Sequence, residues 1–135
     1  MLNFHPSPGN ALICDFSSMA LKPPEMIKKR PVIVISPRSR RKNICTVVAL
    51  STTTPAPIEP YHALIEFYPK LPVKFDVKDV WVKGDMIYTV SFERLELIKN
   101  GRDRSGKRKY YTSKLPRKSF EKVMKCVQNG LAIPC

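Results

Sequence analysis

Two short segments carry the side chains best suited to chemistry. Arg30 precedes the apolar run 31–35, and a run of four hydroxyl residues, 51–54, follows the apolar run 46–50. Arginine keeps its positive charge and offers a planar fork of donors that matches a phosphate group. A rigidly held guanidinium close to a hydroxyl cluster is suited to binding and straining a phosphodiester. The sequence therefore predicts RNA as the first substrate to consider.

Both segments also have a purely structural interpretation. Arg30 could be a surface cation at the start of a strand, although its position directly before a proline in an apolar run favours catalysis. The run 51–54 could be a turn in which the hydroxyls bond to their own backbone. For this run the structural and the functional interpretation both stay open.

The charge distribution favours a polyanionic partner. The net charge is +13 and the pI is about 9.9, which promotes capture of nucleic acid. The excess lies at the two ends, with +6 in residues 1–50, −2 in residues 51–98 and +9 in residues 99–135. Tyr110 and Tyr111 follow the basic triplet 107–109, and aromatic rings beside cations are what base stacking uses. The alternative is a solvated cationic surface.

Cysteine and histidine usage excludes several classes of site. Cys14 and Cys45 lie inside apolar runs, which predicts small core residues in a reducing cytoplasm. His5 and His62 are far apart in sequence and lack neighbouring ligands, so we expect neither a metal site nor a cofactor. No stretch has the pattern of a signal peptide or a membrane span, and we expect a cytoplasmic protein.

The elements that must position these residues are mostly short strands. Thirteen prolines among 135 residues disfavour long helices, and apolar runs at 11–16, 32–36, 44–50, 62–67 and 80–90 predict five strands of a compact barrel. Gly84 and Asp85 inside the last run predict a bulge or bend. Residues 92–98 are expected to end the barrel with a turn or short strand.

The C-terminal part is predicted to end in a helix. Phe120, Val123, Met124 and Val127 follow the i, i+3, i+4, i+7 spacing within residues 116–130, which is typical of an amphipathic helix. The fold class is therefore β-rich with a C-terminal helix. We expect a barrel in residues 1–98, and a basic connection with the helix packed on the barrel in residues 99–135, as a single domain overall.

The order of these segments resembles the MazF/PemK family of toxin endoribonucleases, the Kid-like toxins of type II toxin-antitoxin systems. The matching residues are Pro-Gly-x-x-Leu-Ile-x-Asp-Phe at 8–16, Arg-Pro-Val-Ile-Val-Ile-Ser-Pro at 30–37, Val-Val-Ala-Leu-Ser-Thr-Thr at 47–53 and Lys-Gly-Asp-Met-Ile-Tyr-Thr-Val-Ser at 83–91, followed by Arg94 and Leu95. The Arg-Pro element is the most specific of them.

The resemblance implies a small SH3-like barrel of the MazF/PemK/CcdB type that forms a homodimer and is neutralised by an antitoxin. It also implies cleavage of single-stranded RNA at a short sequence without a metal. In this chemistry the RNA's own 2′-hydroxyl is the nucleophile, and the products are a 2′,3′-cyclic phosphate and a 5′-hydroxyl.

The resemblance also assigns roles to residues. The family's catalytic arginine corresponds to Arg30, its hydroxyl residue to Ser51 with Thr52 adjacent, and its loop acid to Glu25. Arg30 would stabilise the charged phosphorane while the hydroxyl donates to a non-bridging oxygen. Glu25 would either accept the 2′-hydroxyl proton or orient Arg30. The residues expected to contact RNA are Lys28, Lys29, Arg38, Arg40, Arg41, Thr53 and Lys83.

The sequence also departs from some members of this family. Those members carry a histidine in the loop before the arginine and an Arg-Thr-Ile-Asp set in the late strand, where this chain has Tyr-Thr-Val-Ser at 88–91. His62, at the end of the hydroxyl loop, is a candidate for the missing acid or base. Two alternative functions follow: a catalytically silent nucleic-acid-binding module, and a toxin that acts by protein contact, as related barrels that poison gyrase do.

The charge at the C-terminal end yields one further expectation. Truncation after Asn100 should weaken RNA or partner binding more than it weakens the barrel.

Overall fold

Seven antiparallel strands and a C-terminal helix make up the described part of the chain. The computed structural model describes residues 2, 4–17, 29–37, 42–68, 70–72 and 79–132. The elements are β1 (Ala11–Asp15), β2 (Lys29–Val34), β3 (Ile44–Ser51), β4 (His62–Leu64), β5 (Trp81–Ser91), a 3-10 helix (Phe92–Arg94), β6 (Leu95–Arg102), β7 (Arg108–Tyr111) and α1 (Arg117–Gly130).

All seven strands belong to one sheet in the order β4-β5-β3-β2-β1-β6-β7. Within the described ranges β4 and β7 are the two edges and do not pair with each other, so the sheet is barrel-like but not closed. The predicted β-rich fold with a C-terminal helix is confirmed. No helix in the described ranges is both long enough and apolar enough to cross a membrane.

The sheet buries apolar side chains on both faces because successive strand residues point to opposite sides. One face, with the helix packed on it, forms the helix-side core, which includes Ile33, Val48, Leu50, Val82, Ile98, Tyr111, Leu115, Val123, Cys126 and Val127. The other face forms the inner core, which includes Leu12, Cys14, Phe16, Val32, Val34, Cys45, Val47, Ala49, Val90 and Leu95. The predicted burial of Cys14 and Cys45 is confirmed.

Helix α1 has the predicted amphipathic face and lies directly against β5. Val123 and Val127 are buried as predicted, and Cys126 joins them. A Cβ atom added to Gly84 of β5 would collide with the Cys126 backbone carbonyl, so a glycine is required for this close approach. The bulge predicted at Gly84 and Asp85 is also confirmed. Val48 of β3 lies opposite Ile87 of β5 and the next residue, Ala49, lies opposite Lys83, so the register shifts across residues 84–86.

The region after residue 92 differs from its expectation. Residues 95–111 form a β-hairpin of β6 and β7 instead of a turn or short strand that ends the barrel and is followed by a basic connection. Charged and other polar residues fill most of its exposed positions, and this hid the strand alternation from sequence analysis. Strand β6 runs across the expected boundary between residues 98 and 99, and the division itself stays a prediction.

One expectation about the C-terminal part, base stacking by Tyr111, is wrong, and a second, the effect of truncation, stays untested. Tyr111 is 3% exposed and belongs to the helix-side core, so it offers no ring for base stacking. Truncation after Asn100 would remove Tyr111, Val123 and Val127 from that core. We therefore expect this truncation to unfold the chain, because the sheet face under the helix would lose its cover.

Candidate active site

Strands β2 and β3 place Arg30 and Ser51 at the same end of one ladder. Val32 lies opposite Ala49 and Val34 opposite Val47. The same register continued by two residues sets Arg30 opposite Ser51, on the sheet face of the inner core. Side chains directly opposite each other in an antiparallel pair have Cβ atoms about 5 Å apart. The strand alternation that buries the core thus brings the guanidinium and the hydroxyl to one side of the sheet.

A cavity of about 420 Å³ opens at this end of the ladder. Arg30, Ser51 and Thr52 all border it, so three of the five predicted catalytic residues meet around one space. Its lining consists of Ile13, Lys29, Arg30, Pro31, Leu50, Ser51, Thr52, Glu96, Leu97, Ile98 and Lys99. The lining combines apolar side chains with a few charged residues and hydroxyls, which is the usual composition of a ligand site.

The Ser51 hydroxyl is held by a local turn. Its Oγ accepts a hydrogen bond from the Thr53 backbone N–H at 3.1 Å and lies 3.3 Å from the Thr53 carbonyl oxygen, to which it donates. The Ser51 hydroxyl therefore bonds to its own backbone, as the structural interpretation expected, and the functional interpretation stays a prediction. The longer of the two bonds is the one that uses the hydroxyl proton, so Ser51 can redirect this proton to a ligand while the backbone N–H keeps its oxygen in place.

An ion pair lies on the wall of the cavity. Lys29 Nζ donates to Glu96 Oε1 at 3.0 Å, and this hydrogen bond raises the pKa of Lys29 above its ordinary value. Sequence reasoning missed Glu96 and the other β6 residues of the site, because residues 92–98 were expected to form only a turn or short strand. The sequence signal for this strand was the alternation of Leu95, Glu96 and Leu97, in which both leucines pack toward the inner core.

Among the predicted residues that the structure describes, Lys29 lines the cavity, whereas Thr53, His62 and Lys83 do not. The backbone of Thr53 holds Ser51, while Lys83 lies on β5, opposite Ala49 and His62. His62 is on the edge strand β4, where its Nδ1 accepts a hydrogen bond from the Glu59 N–H at 3.0 Å. The predicted Glu25, Lys28, Arg38, Arg40 and Arg41 fall outside the described residues.

Metal ligation has no evident set of donors in the part of the chain that the structure describes. There, histidine, cysteine, aspartate and glutamate side chains do not gather in groups of three or more that could hold an ion. The arrangement around the cavity instead offers three cations, one carboxylate and two hydroxyls. Such a set can bind an anionic group and move protons near it.

The chain belongs to the PemK-like, MazF-like toxin family of type II toxin-antitoxin systems. The model of this family matches residues 7–131, which include every described element of the sheet and the helix. The resemblance inferred from the sequence is thereby confirmed. A comparison with curated proteins finds no match.

Solved structures share the fold at low sequence identity. An endoribonuclease in complex with its cognate antitoxin, from a mycobacterial species, superposes with a TM-score of 0.63 at 18% identity, covering 96% of this chain and 98% of that one. MazF from Deinococcus radiodurans gives a TM-score of 0.62 at 16% identity, covering 97% and 100%. The toxin MazF-mt6 of Mycobacterium tuberculosis gives 0.55 at 14% identity, covering 93% and 99%. This likeness establishes the fold.

Proposed function

We propose that this toxin is an endoribonuclease that cleaves single-stranded RNA within a short sequence and needs no metal ion. The single observation that carries the proposal is the cavity bordered jointly by Arg30, Ser51 and Thr52. Membership in the toxin family supports it, as does the fold shared with chains described as endoribonucleases. The substrate class follows from the chemistry, because a guanidinium and hydroxyls are complementary to a phosphodiester.

The proposed reaction is an internal transesterification. The 2′-oxygen of the RNA attacks the adjacent phosphorus, the bond from phosphorus to the 5′-oxygen breaks, and a 2′,3′-cyclic phosphate and a 5′-hydroxyl remain. The proton of the 2′-hydroxyl passes to a base, and the departing 5′-oxygen takes up a proton. Water is not consumed in this step, so the cyclic end is the characteristic product.

Arg30 and Ser51 stabilise the charge that develops on the phosphorane. The guanidinium donates to the non-bridging oxygens. The Ser51 hydroxyl donates to these oxygens as well, after it gives up its hydrogen bond to the Thr53 carbonyl. Donors that are already in place need no reorganisation during the reaction, and each one is worth about 10²–10³ in rate. Thr52 supplies a further hydroxyl at the same border. Glu25, from the family resemblance, is the proposed proton acceptor or the residue that orients Arg30.

The remaining RNA contacts are proposed for the cations near the site and for the loop residues named from the sequence. Lys29 borders the cavity, whereas the assignment of Lys28, Arg38, Arg40, Arg41, Thr53 and Lys83 rests on sequence and family resemblance alone. We also propose a homodimer as the working unit and a cognate antitoxin as the protein partner. An antitoxin complex is described for the mycobacterial endoribonuclease and for Deinococcus MazF.

The test is an analysis of RNA ends by mass spectrometry after incubation of purified protein with mixed-sequence RNA in excess EDTA. The proposal predicts fragments with 2′,3′-cyclic phosphate and 5′-hydroxyl ends. Intact RNA that is bound in a salt-sensitive manner would instead support the silent binding module. Intact RNA together with inhibition of gyrase would support a toxin that acts by protein contact.

A further inference from the structure

The hairpin of β6 and β7 carries a cationic and aromatic surface that the cavity does not account for. We propose that this surface binds the single-stranded RNA that flanks the cleaved phosphodiester. The inference rests on the proposed function for the identity of its ligand. It extends that function from one cleaved bond to a longer stretch of substrate.

Strand pairing sets four side chains on one face of the hairpin. Lys99 lies opposite Tyr110, and Arg102 lies opposite Arg108. Residues directly opposite each other share a face, and so do Arg108 and Tyr110, which are two positions apart on one strand. We call this set, Lys99, Arg102, Arg108 and Tyr110, the hairpin face.

A bulge keeps Arg102 on this face. Three residue steps on β6, from Lys99 to Arg102, run beside two steps on β7, from Tyr110 to Arg108. Regular alternation would turn Arg102 to the opposite side, and the extra residue restores it. Gly101, with a φ of +76°, supplies the left-handed backbone that such a bulge uses.

Among the described residues, no carboxylate forms an ion pair with the positive charges of the hairpin face. Like charges directly opposite each other in a sheet are unfavourable, yet Arg102 and Arg108 are paired in this way. The ion pairs formed within the described residues join Lys29 to Glu96 and Arg117 to Glu121, and neither involves this face. A polyanion would relieve the repulsion, so the arrangement suits a ligand that brings its own negative charges.

Asp103, the acidic residue of the hairpin, hydrogen-bonds to residues of the turn and not to side chains of the hairpin face. The Asp103 carboxylate accepts hydrogen bonds from the backbone N–H groups of Ser105 and Lys107, both at 2.9 Å, and from the Ser105 hydroxyl. These bonds lower its pKa. Arg102 is also oriented, because its Nη1 donates to the Gly106 carbonyl at 2.9 Å. One guanidinium nitrogen is thus anchored while the others can still donate.

Tyr110 points to nucleic acid as the polyanion. Its ring is 45% exposed beside Lys99, and an exposed ring among cations is the arrangement on which unpaired bases stack. An acidic peptide would use the charges but would not need the ring. Lys99 also borders the cavity, so the hairpin face is continuous with the candidate active site.

Binding of an RNA that cannot be cleaved tests this surface separately from catalysis. The probe is a 2′-O-methylated oligonucleotide of about 20 nucleotides and randomised sequence, long enough to cover both surfaces, followed by fluorescence anisotropy over a range of salt concentrations. Removing two phosphate contacts in Arg102→Ala/Arg108→Ala should lower the slope of log K against log salt by about 1.4 in magnitude. Tyr110→Ala should weaken binding roughly tenfold, the usual loss for one stacked base.

Lys109→Ala is the matched control because Lys109 is adjacent to both Arg108 and Tyr110 in β7 but lies on the other face. It removes one positive charge and should leave the slope nearly unchanged. An equal change of slope per removed charge in Lys109→Ala and in Arg102→Ala/Arg108→Ala would overturn the inference. So would a double variant that loses binding to an Asp/Glu-rich peptide but retains RNA binding. Failure of the proposed function is distinguishable, since it appears as uncut RNA with the wild-type protein.

Discussion

Lys29 Nζ lies 3.0 Å from Glu96 Oε1, and both residues border the cavity that Arg30 and Ser51 share. The pair joins β2 to β6 across β1, because the sheet order places β1 between them. Glu96 partly neutralises Lys29, the residue that precedes Arg30 in β2. The carboxylate therefore limits how strongly the cavity attracts an anion.

Removal of this carboxylate charge should strengthen RNA binding. In Glu96→Gln we expect several-fold tighter binding of uncleavable RNA at low salt, with a smaller gain at high salt because exposed charges are screened. Glu121→Gln is the matched control, since Glu121 pairs with Arg117 at 3.2 Å on α1, away from the cavity. Equal gains in both variants would mean that net charge, and not this site, sets the affinity.

The Ser51 hydroxyl should matter for cleavage and little for stability. We expect Ser51→Ala to lower the cleavage rate about 10²-fold, as for loss of one donor to a developing charge, with Tm nearly unchanged. Ser91 offers a matched control, because its Oγ also accepts a backbone N–H two residues on, from Glu93 at 3.2 Å, but does not border the cavity. A comparable loss of rate in Ser91→Ala would show that the turn and not the donor is responsible.

Gly84 should be needed for the close packing of α1 against β5. A methyl group at this position collides with the Cys126 carbonyl, so Gly84→Ala must displace α1 or β5 and should lower the free energy of unfolding by about 1–3 kcal/mol. Urea denaturation measures the change, and Asp85→Ala on the neighbouring exposed position is the control. A Gly84→Ala variant as stable as Asp85→Ala would contradict the close approach of these elements.

Stability should fall in alkaline solution because of the buried thiols. Burial raises the pKa of Cys14 from an ordinary 9.0 to about 12 and that of Cys45 to about 11. Above the ordinary pKa the unfolded chain releases these protons while the folded chain keeps them, so the free energy of unfolding decreases as pH rises from about 9 towards 11. Urea denaturation of the wild type and Cys14→Ala at pH values on either side of 9 measures this decrease. It should be smaller in the variant, and an equal decrease would contradict the assignment.

Sequence patterns predicted the parts of the fold in which local and tertiary preferences agree. The β-branched run 32–36 and the helical spacing of Val123 and Val127 both reflect burial, so they gave correct elements. The β6–β7 hairpin was missed because its pairing buries few side chains, chiefly Ile98 and Tyr111, and a short alternation among charged residues resembles a loop.

The candidate site was only partly predictable for a related reason. Arg30 and Ser51 were found because each lies at one end of an apolar run. The two runs form the neighbouring strands β2 and β3, whose pairing brings these ends together. Glu96 and Lys99 were not found, because their proximity to Arg30 depends on β6 pairing with β1. That pairing joins residues more than 80 positions apart, such as Leu12 and Leu97, and no local pattern encodes it.

The rate at which 2′,3′-cyclic phosphate ends form tests the central claim most directly. We compare the wild type, Arg30→Ala and Arg117→Ala, in EDTA, with folding checked by thermal denaturation. Both substitutions remove one guanidinium, but Arg117 lies on the exposed side of α1. We expect Arg30→Ala to lose at least about 10²-fold in rate while Arg117→Ala cleaves like the wild type. Cleavage by folded Arg30→Ala at the wild-type rate would contradict the account.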